Sequence, residues 1–168
     1  VKPPPPLPCI IWDQREQAPL KFSPAVTSER VLLPVGDYSI RGASDSVTIE
    51  RKRNGEIQAC CGIDRERFIE QMERMRPFPV RHLVIEGTWS EVSLGIARSN
   101  INPMSVVGTL IKIASDWNIP VWFAEDASGA ALLVERILLR EHKRLELAAK
   151  EAERAKRKAA QWASEPKR

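Results

Sequence analysis

The sequence predicts an α/β domain: a mixed central sheet flanked by helices, with a long basic C-terminal helix. Three observations carry this. Short apolar runs bounded by Gly, Pro and Asp fill the first third of the chain. From Ile63 onward, helix-spaced and strand-like segments alternate. The last segment keeps helical composition far past its apolar part. The 168 residues suffice for one domain with a proper core and are few for two.

Residues 1–8 are a proline-rich lead, expected to be extended and poorly ordered, with no apolar core of a secretory signal. Cys9 to Trp12 reads as a buried strand ending at Asp13, and Gln14 to Pro24 as a loop punctuated by Pro19 and Pro24. Val31 to Pro34 and Asp37 to Arg41 read as two short strand pieces around Gly36. Arg41 to Asp45 is a hairpin connection leading into a strand from Val47 to Arg51. Ile63, Phe68, Ile69, Met72 and Met75 mark an amphipathic helix started by Asp64 and ended by Pro77.

Val80 to Ile85 is a buried strand, and Trp89 to Ile96 a short helix. Pro103 to Trp117 is a helix with Asn102 as its cap and the proline in its first turn. Ile119 to Ala124 is the last strand. A long helix then opens at Asp126 or Ser128 and docks Leu132, Leu133, Ile137 and Leu138 on the core up to about Leu147. Beyond that it is Ala-rich and polar, with Glu146–Lys150 and Glu153–Arg157 as i,i+4 pairs. The layout is thus a lead over 1–8, a domain over 9–147 and a basic helical tail over 148–168.

Residues 140–168 hold 10 Lys/Arg against 5 Asp/Glu, leaving 16 against 17 for the rest, so the whole excess behind the net +4 lies in the tail. Such a distribution suits a nucleic-acid arm, and equally a solvated helix. No apolar run approaches the roughly 20 residues of a membrane helix, so no membrane partner is expected. Cys9, Cys60 and Cys61 form an odd set without metal-ligand spacing, as in a reduced cytoplasmic protein, or a nuclear one if eukaryotic. His82 and His142 lack partners at zinc-site spacing. Trp89, Trp117 and Trp122 fit core packing, whereas Trp162 in the polar tail could stack on a base or a partner. Tyr38 is an ordinary strand residue that could also frame a site at Asp37.

The chemistry is expected where Gly36-Asp37 meets Ile49-Glu50-Arg51-Lys52. Residues two apart on a strand share a face, so Glu50 and Lys52 point one way and Arg51 the other. If the Asp37 strand lies alongside, its carboxylate meets that of Glu50 at one divalent cation. Magnesium takes one or two carboxylates, keeps several waters and completes its shell with substrate phosphate. Lys52 would then orient or deprotonate the nucleophile, or neutralise charge in the transition state.

In these residues the chain resembles the nuclease domain of the XPF-type structure-specific endonucleases. That family's Gly-Asp, spacer, Glu-Arg-Lys, three residues, Asp reads here as Gly36-Asp37, Glu50-Arg51-Lys52 and, with glutamate in place of aspartate, Glu56. Asp13-Gln14-Arg15-Glu16 matches an upstream Asp-x-Arg-Glu, and Arg67 and Gln71 match an Arg and a Gln four apart on a helix. Asp64-Arg65-Glu66-Arg67-Phe68 and Leu83-Val84-Ile85-Glu86-Gly87 also stand where the family puts them.

The resemblance, over roughly residues 9–140, implies a restriction-endonuclease-like fold and cleavage of branched double-stranded DNA dependent on Mg2+ or Mn2+. Asp37, Glu50 and Glu56 would serve the metal, and Lys52 the chemistry. Asp13 and Arg51 would support catalysis, and Arg15, Arg51, Arg65, Arg67 and Gln71 would contact DNA. It further implies a homodimer, for which the Pro103–Trp117 helix is apolar enough. A 5′-phosphate product and a role in DNA repair, recombination or replication are expected as well. The small layout is similar to forms carried by bacteriophages and bacteria. The competing expectation is a catalytically silent module that binds or scaffolds branched DNA on the same fold. A plain protein-interaction domain would make five ordered motif matches coincidental.

Overall fold

The computed structural model describes residues 8–53, 55–95 and 100–164. The proline-rich lead therefore lies almost wholly outside the described residues, as do Ile96 and the chain end beyond Ser164. Six strands form one sheet: β1 (Ile10–Asp13), β2 (Ser28–Val31), β3 (Tyr38–Ile40), β4 (Val47–Lys52), β5 (Val80–Ile85) and β6 (Val121–Phe123). Their spatial order is β2-β1-β3-β4-β5-β6. β3 runs antiparallel to β1 and β4, whereas β1–β2, β4–β5 and β5–β6 are parallel pairs. The helices are α1 (Glu56–Cys61), α2 (Arg65–Met75), α3 (Trp89–Leu94), α4 (Pro103–Ser115) and α5 (Ala127–Ser164).

Period-two alternation divides the core between the sheet's two faces. Val47 and Ile49 of β4 and Val80 and Val84 of β5 pack with Ile10, Tyr38 and Ile40 against Ala130, Ala131, Val134 and Leu138 of α5. Leu83 and Ile85 pack on the other side with Phe68, Met72 and Met75 of α2 and Val106, Leu110 and Ile113 of α4. The even-numbered residues of β4 therefore turn toward the α2 side, which sends Glu50 and Lys52 there together.

Several expectations need correction. The chain joins the sheet at Ser28–Val31 rather than 31–34, because the Leu33 amide leaves the ladder to donate to the Asp13 carboxylate at 2.7 Å. Residues 56–61 form a helix that the sequence reading passed over. α2 starts at Arg65, so Ile63 lies outside it and is 87% exposed, and Asp64 stands at the N-cap without a side-chain capping bond. Leu132 points away from the core at 56% exposure, its expected place being taken by Ala130, Ala131 and Val134. The start of α5 belongs to Asp126, whose carboxylate accepts from the Gly129 amide at 2.8 Å. Trp117 is buried as expected, but Trp89 and Trp122 are partly exposed. Trp89 meets Phe123 edge-on, and the Trp122 indole donates to His82 Nδ1 at 3.1 Å. Asn102 caps α4 as expected, accepting from the Met104 amide.

Candidate active site

Asp37 is fixed by its backbone before its side chain does anything. Its amide donates to the Ile49 carbonyl at 2.8 Å, and its carbonyl accepts from the Asp13 amide at 2.8 Å. The residue thus bridges β4 and β1, beside the start of β3. Gly36 makes the approach possible: its φ is +76°, and an added Cβ would collide with Thr48 Oγ1 and sit 3.0 Å from the Ile49 carbonyl oxygen. Gly36→Ala is expected to cost about 1–3 kcal/mol in folding free energy and to reduce cleavage more than that loss implies. Urea unfolding beside a cleavage assay at matched folded fraction checks it; unchanged stability and activity would contradict this account.

The Asp37 Oδ2 accepts from the Arg51 amide at 2.8 Å. Burial raises the Asp37 carboxyl well above the ordinary 3.8, and the neighbouring Glu50 charge raises it further. Glu50 is raised too, first by burial, although the Lys52 cation and the bonds from Lys52 and Gln71 pull it back. Its Oε1 accepts from Lys52 Nζ at 2.6 Å and from Gln71 Nε2 at 2.6 Å, while its buried Oε2 has no hydrogen-bond partner. Gln71 Oε1 in turn accepts from Lys52 Nζ at 3.1 Å. Burial alone would lower the Lys52 ammonium, but the Glu50 charge outweighs it and holds the group above its ordinary 10.5.

These groups open into a cleft of about 500 Å³. Arg67, four residues before Gln71 on α2, and Arg74, three after it, stand on its wall, as does Arg15. Arg74 was missed by the sequence reading, although its position seven residues after Arg67 puts both on one helical face. Glu16, which the sequence reading named only as part of the Asp13–Glu16 motif without a role, lines the cleft and lies 3.5 Å from the Arg51 guanidinium.

The remaining expected residues have other duties. Asp13 is a buried staple: it accepts from the Arg15 Nε at 2.6 Å, the Arg15 amide at 2.9 Å and the Leu33 amide. Burial alone would raise its carboxyl, but these donors hold it below the ordinary 3.8. Arg51 points to the α5 side of the sheet, where its Nε donates to Glu86 at 2.6 Å and its Nη1 to the Ala18 carbonyl at 2.7 Å. The buried guanidinium is thus tied into the structure, although Arg51 also stands among the residues lining the cleft. Arg65 turns from the cleft to donate to Thr109 on α4.

Glu56 lines the cleft but is not brought together with Asp37 and Glu50. Both of its oxygens are taken by Arg53, at 2.9 Å from its Nε and 2.9 Å from its backbone amide. Among the described residues, no three His, Cys, Asp or Glu side chains form a group that could hold a metal ion. The Tyr38 hydroxyl, read as a possible frame for the site, lies in the core and accepts from the Leu20 amide at 3.0 Å.

The fold is similar to XPF from Aeropyrum pernix in complex with DNA, at 24% identity and a TM-score of 0.65, covering 81% of this chain and 66% of that one. A second structure of XPF from Aeropyrum pernix matches at 24% identity and a TM-score of 0.62, covering 78% of this chain and 60% of that one. The chain thus spans somewhat under two thirds of the length of those proteins. No curated protein sequence matches it. The model of the ERCC4 domain family matches residues 13–137, from the Asp13 staple through the acids of β3 and β4 and the α2 wall into α5. The chain belongs to the ERCC4 domain family.

Proposed function

We propose that the protein is a divalent-metal-dependent DNA endonuclease that cuts branched or flapped duplexes by phosphodiester hydrolysis, in DNA repair, recombination or replication. The observation that carries the reading is the pair of carboxylates, half-buried Asp37 and buried Glu50, beside a lysine held as its ammonium. The two acids repel each other, and the buried Glu50 Oε2 lacks a partner. A divalent cation is the complement such a pair lacks, so the residues fit Mg2+ or Mn2+ held by Asp37, Glu50, waters and a substrate phosphate oxygen. When bound, the cation would polarise the phosphodiester and make bound water a stronger nucleophile at neutral pH.

The Glu50 charge favours the Lys52 ammonium, which suits it to neutralise charge developing on the phosphoryl oxygens. Gln71 is a positioning residue that holds Lys52 and Glu50 in register. Arg15, Arg67 and Arg74 bind the phosphate backbone, which favours recognition by shape over sequence. Water adds to phosphorus as the bond to the 3′-oxygen breaks and that oxygen takes up a proton, leaving a 5′-phosphate and a 3′-hydroxyl.

The test is cleavage of labelled flap, fork, four-way-junction and linear duplex DNA with Mg2+, with Mn2+ and with chelator. Metal-dependent nicking of the branched substrates is expected. Binding of every branch without cutting under any metal would replace the reading with a silent branched-DNA-binding module.

The outward face of α4 exposes Met104 and Ile111. A second copy of the chain is the occupant proposed for it. Sedimentation velocity is expected to show a dimer that Ile111→Glu shifts to monomer; a monomeric wild type would remove the proposal.

A further inference from the structure

The second half of α5 does nothing for the core, yet its charges are ordered. Leu145 is the last of its side chains packed on the sheet, and the helix continues to Ser164. Arg140, Lys143, Lys150, Arg154 and Arg157 recur at spacings of three, seven, four and three, so they share one helical face, and all five are exposed. The opposite face continues the core-facing line of Val134, Leu138 and Leu145 with alanines. The cations therefore point directly away from the sheet. Among the described residues no ion pair engages Arg140, Lys143 or Arg154. Lys150 and Arg157 meet Glu146 and Glu153 in exposed i,i+4 pairs at 3.9 and 3.1 Å, which exchange readily for phosphate.

Placement gives this face its meaning. α5 begins just after β6, with Gly129 against the Ala124 carbonyl, at the sheet end where Lys52 pairs with Ile85 and opens the cleft. Through Val134, Leu138 and Leu145 the helix packs on the core cluster that includes Val80, the first residue of β5. It therefore runs back over the sheet and projects from the end opposite the cleft. At 1.5 Å per residue, Arg154 lies about 40 Å from the helix start, the length of about 12 base pairs.

We propose that this basic face of α5 is a second DNA-contact surface, which grips the backbone of a duplex arm about one helical turn away from the cut. The proposal rests on the endonuclease reading. Five cations on one face over about 26 Å match a phosphate track. The contact is with phosphates, so it adds affinity and reach without sequence preference.

The test compares the full chain with a variant carrying Lys143→Gln, Lys150→Gln, Arg154→Gln and Arg157→Gln, glutamine being a good helix former. Binding to four-way junctions with arms of about 8 and about 24 base pairs is titrated in chelator across salt concentrations. With the long arms, the slope of log K against log salt is expected to flatten by about 3–4, and affinity at moderate salt to fall tenfold or more. With the short arms the slope should change by no more than about 1, because only Lys143 lies within about 8 base pairs of the helix start. Lys156→Gln, on a different face, should leave the slope unchanged, and circular dichroism confirms that α5 persists.

An unchanged slope with long arms, an equal loss with short arms, or stronger capture by phosphatidylserine vesicles than by junctions would each overturn the proposal. Metal-dependent cutting by the same wild-type protein separates the outcomes. If it cuts while the slope is unmoved, only the α5 surface falls; if it neither binds nor cuts, the endonuclease reading falls with it.

Discussion

Asp37→Asn is expected to lower metal-dependent cleavage by about three orders of magnitude while raising the melting temperature of the metal-free protein. The loss follows from removing one of two carboxylates that place the cation against the phosphate. The gain follows from the same geometry. Burial and the adjacent Glu50 hold the Asp37 carboxyl well above 3.8. Above pH about 4 the native state therefore retains a proton that the unfolded chain has released, and stability falls as pH rises through the native value.

A divalent cation replaces that proton. Mg2+ should therefore stabilise the wild type more at pH 8 than at pH 5, and should leave the Asp37→Asn variant nearly unaffected. Thermal melts across that range, with and without metal, check each part. A variant that keeps its metal-induced stabilisation, or cuts within tenfold of wild type, would place the cation elsewhere. On this reading the burial of Asp37 beside Glu50 costs stability that a bound cation would restore, as expected where function conflicts with stability.

The second large effect is structural. Arg51→Ala removes a guanidinium whose side chain is 3% exposed and which ties together Glu86, Glu16 and the Ala18 carbonyl. Deleting one partner of a buried ion pair strands the others in low dielectric and costs about 3–5 kcal/mol. For a domain of this size that corresponds to a fall in Tm of roughly 10 °C or more. Lysine should not rescue it, because a single ammonium cannot reach three acceptors set in a fork.

Denaturant unfolding measures the cost, and cleavage per folded molecule separates this role from catalysis. A variant of normal stability with no activity would return Arg51 to the phosphate. Its motif neighbours Glu50 and Lys52 face the other side of β4, so three consecutive charged residues divide between two tasks.

The opposite facing of Arg51 was legible from strand periodicity, though the sequence reading still gave it catalysis and DNA contact; β5, α4 with its Asn102 cap and the meeting of Glu50 with Lys52 were legible too. What stayed hidden has physical reasons. β2 is an edge strand whose Ser28, Glu29 and Arg30 are all exposed, so no apolar alternation announces it. α1 is only six residues long, too short for a helical period to emerge. Motif spacing did not show that Arg53, three residues before Glu56, engages its carboxylate through three hydrogen bonds. Leu132 misled because hydrophobicity was weighed without the close approach of α5 to the sheet, which favours alanine.

The backbone bridge at Asp37 has a consequence for the lifetime of the site. Its amide and that of Asp13 are donors in the middle of the sheet, joining β1, β3 and β4. Such amides exchange with solvent deuterium only when the sheet itself comes apart. Fraying at an end of the molecule, or breathing of the α2 wall, would leave the first acid where it is. The first acid of the site is therefore held in place by the sheet itself, and it is lost only together with the fold.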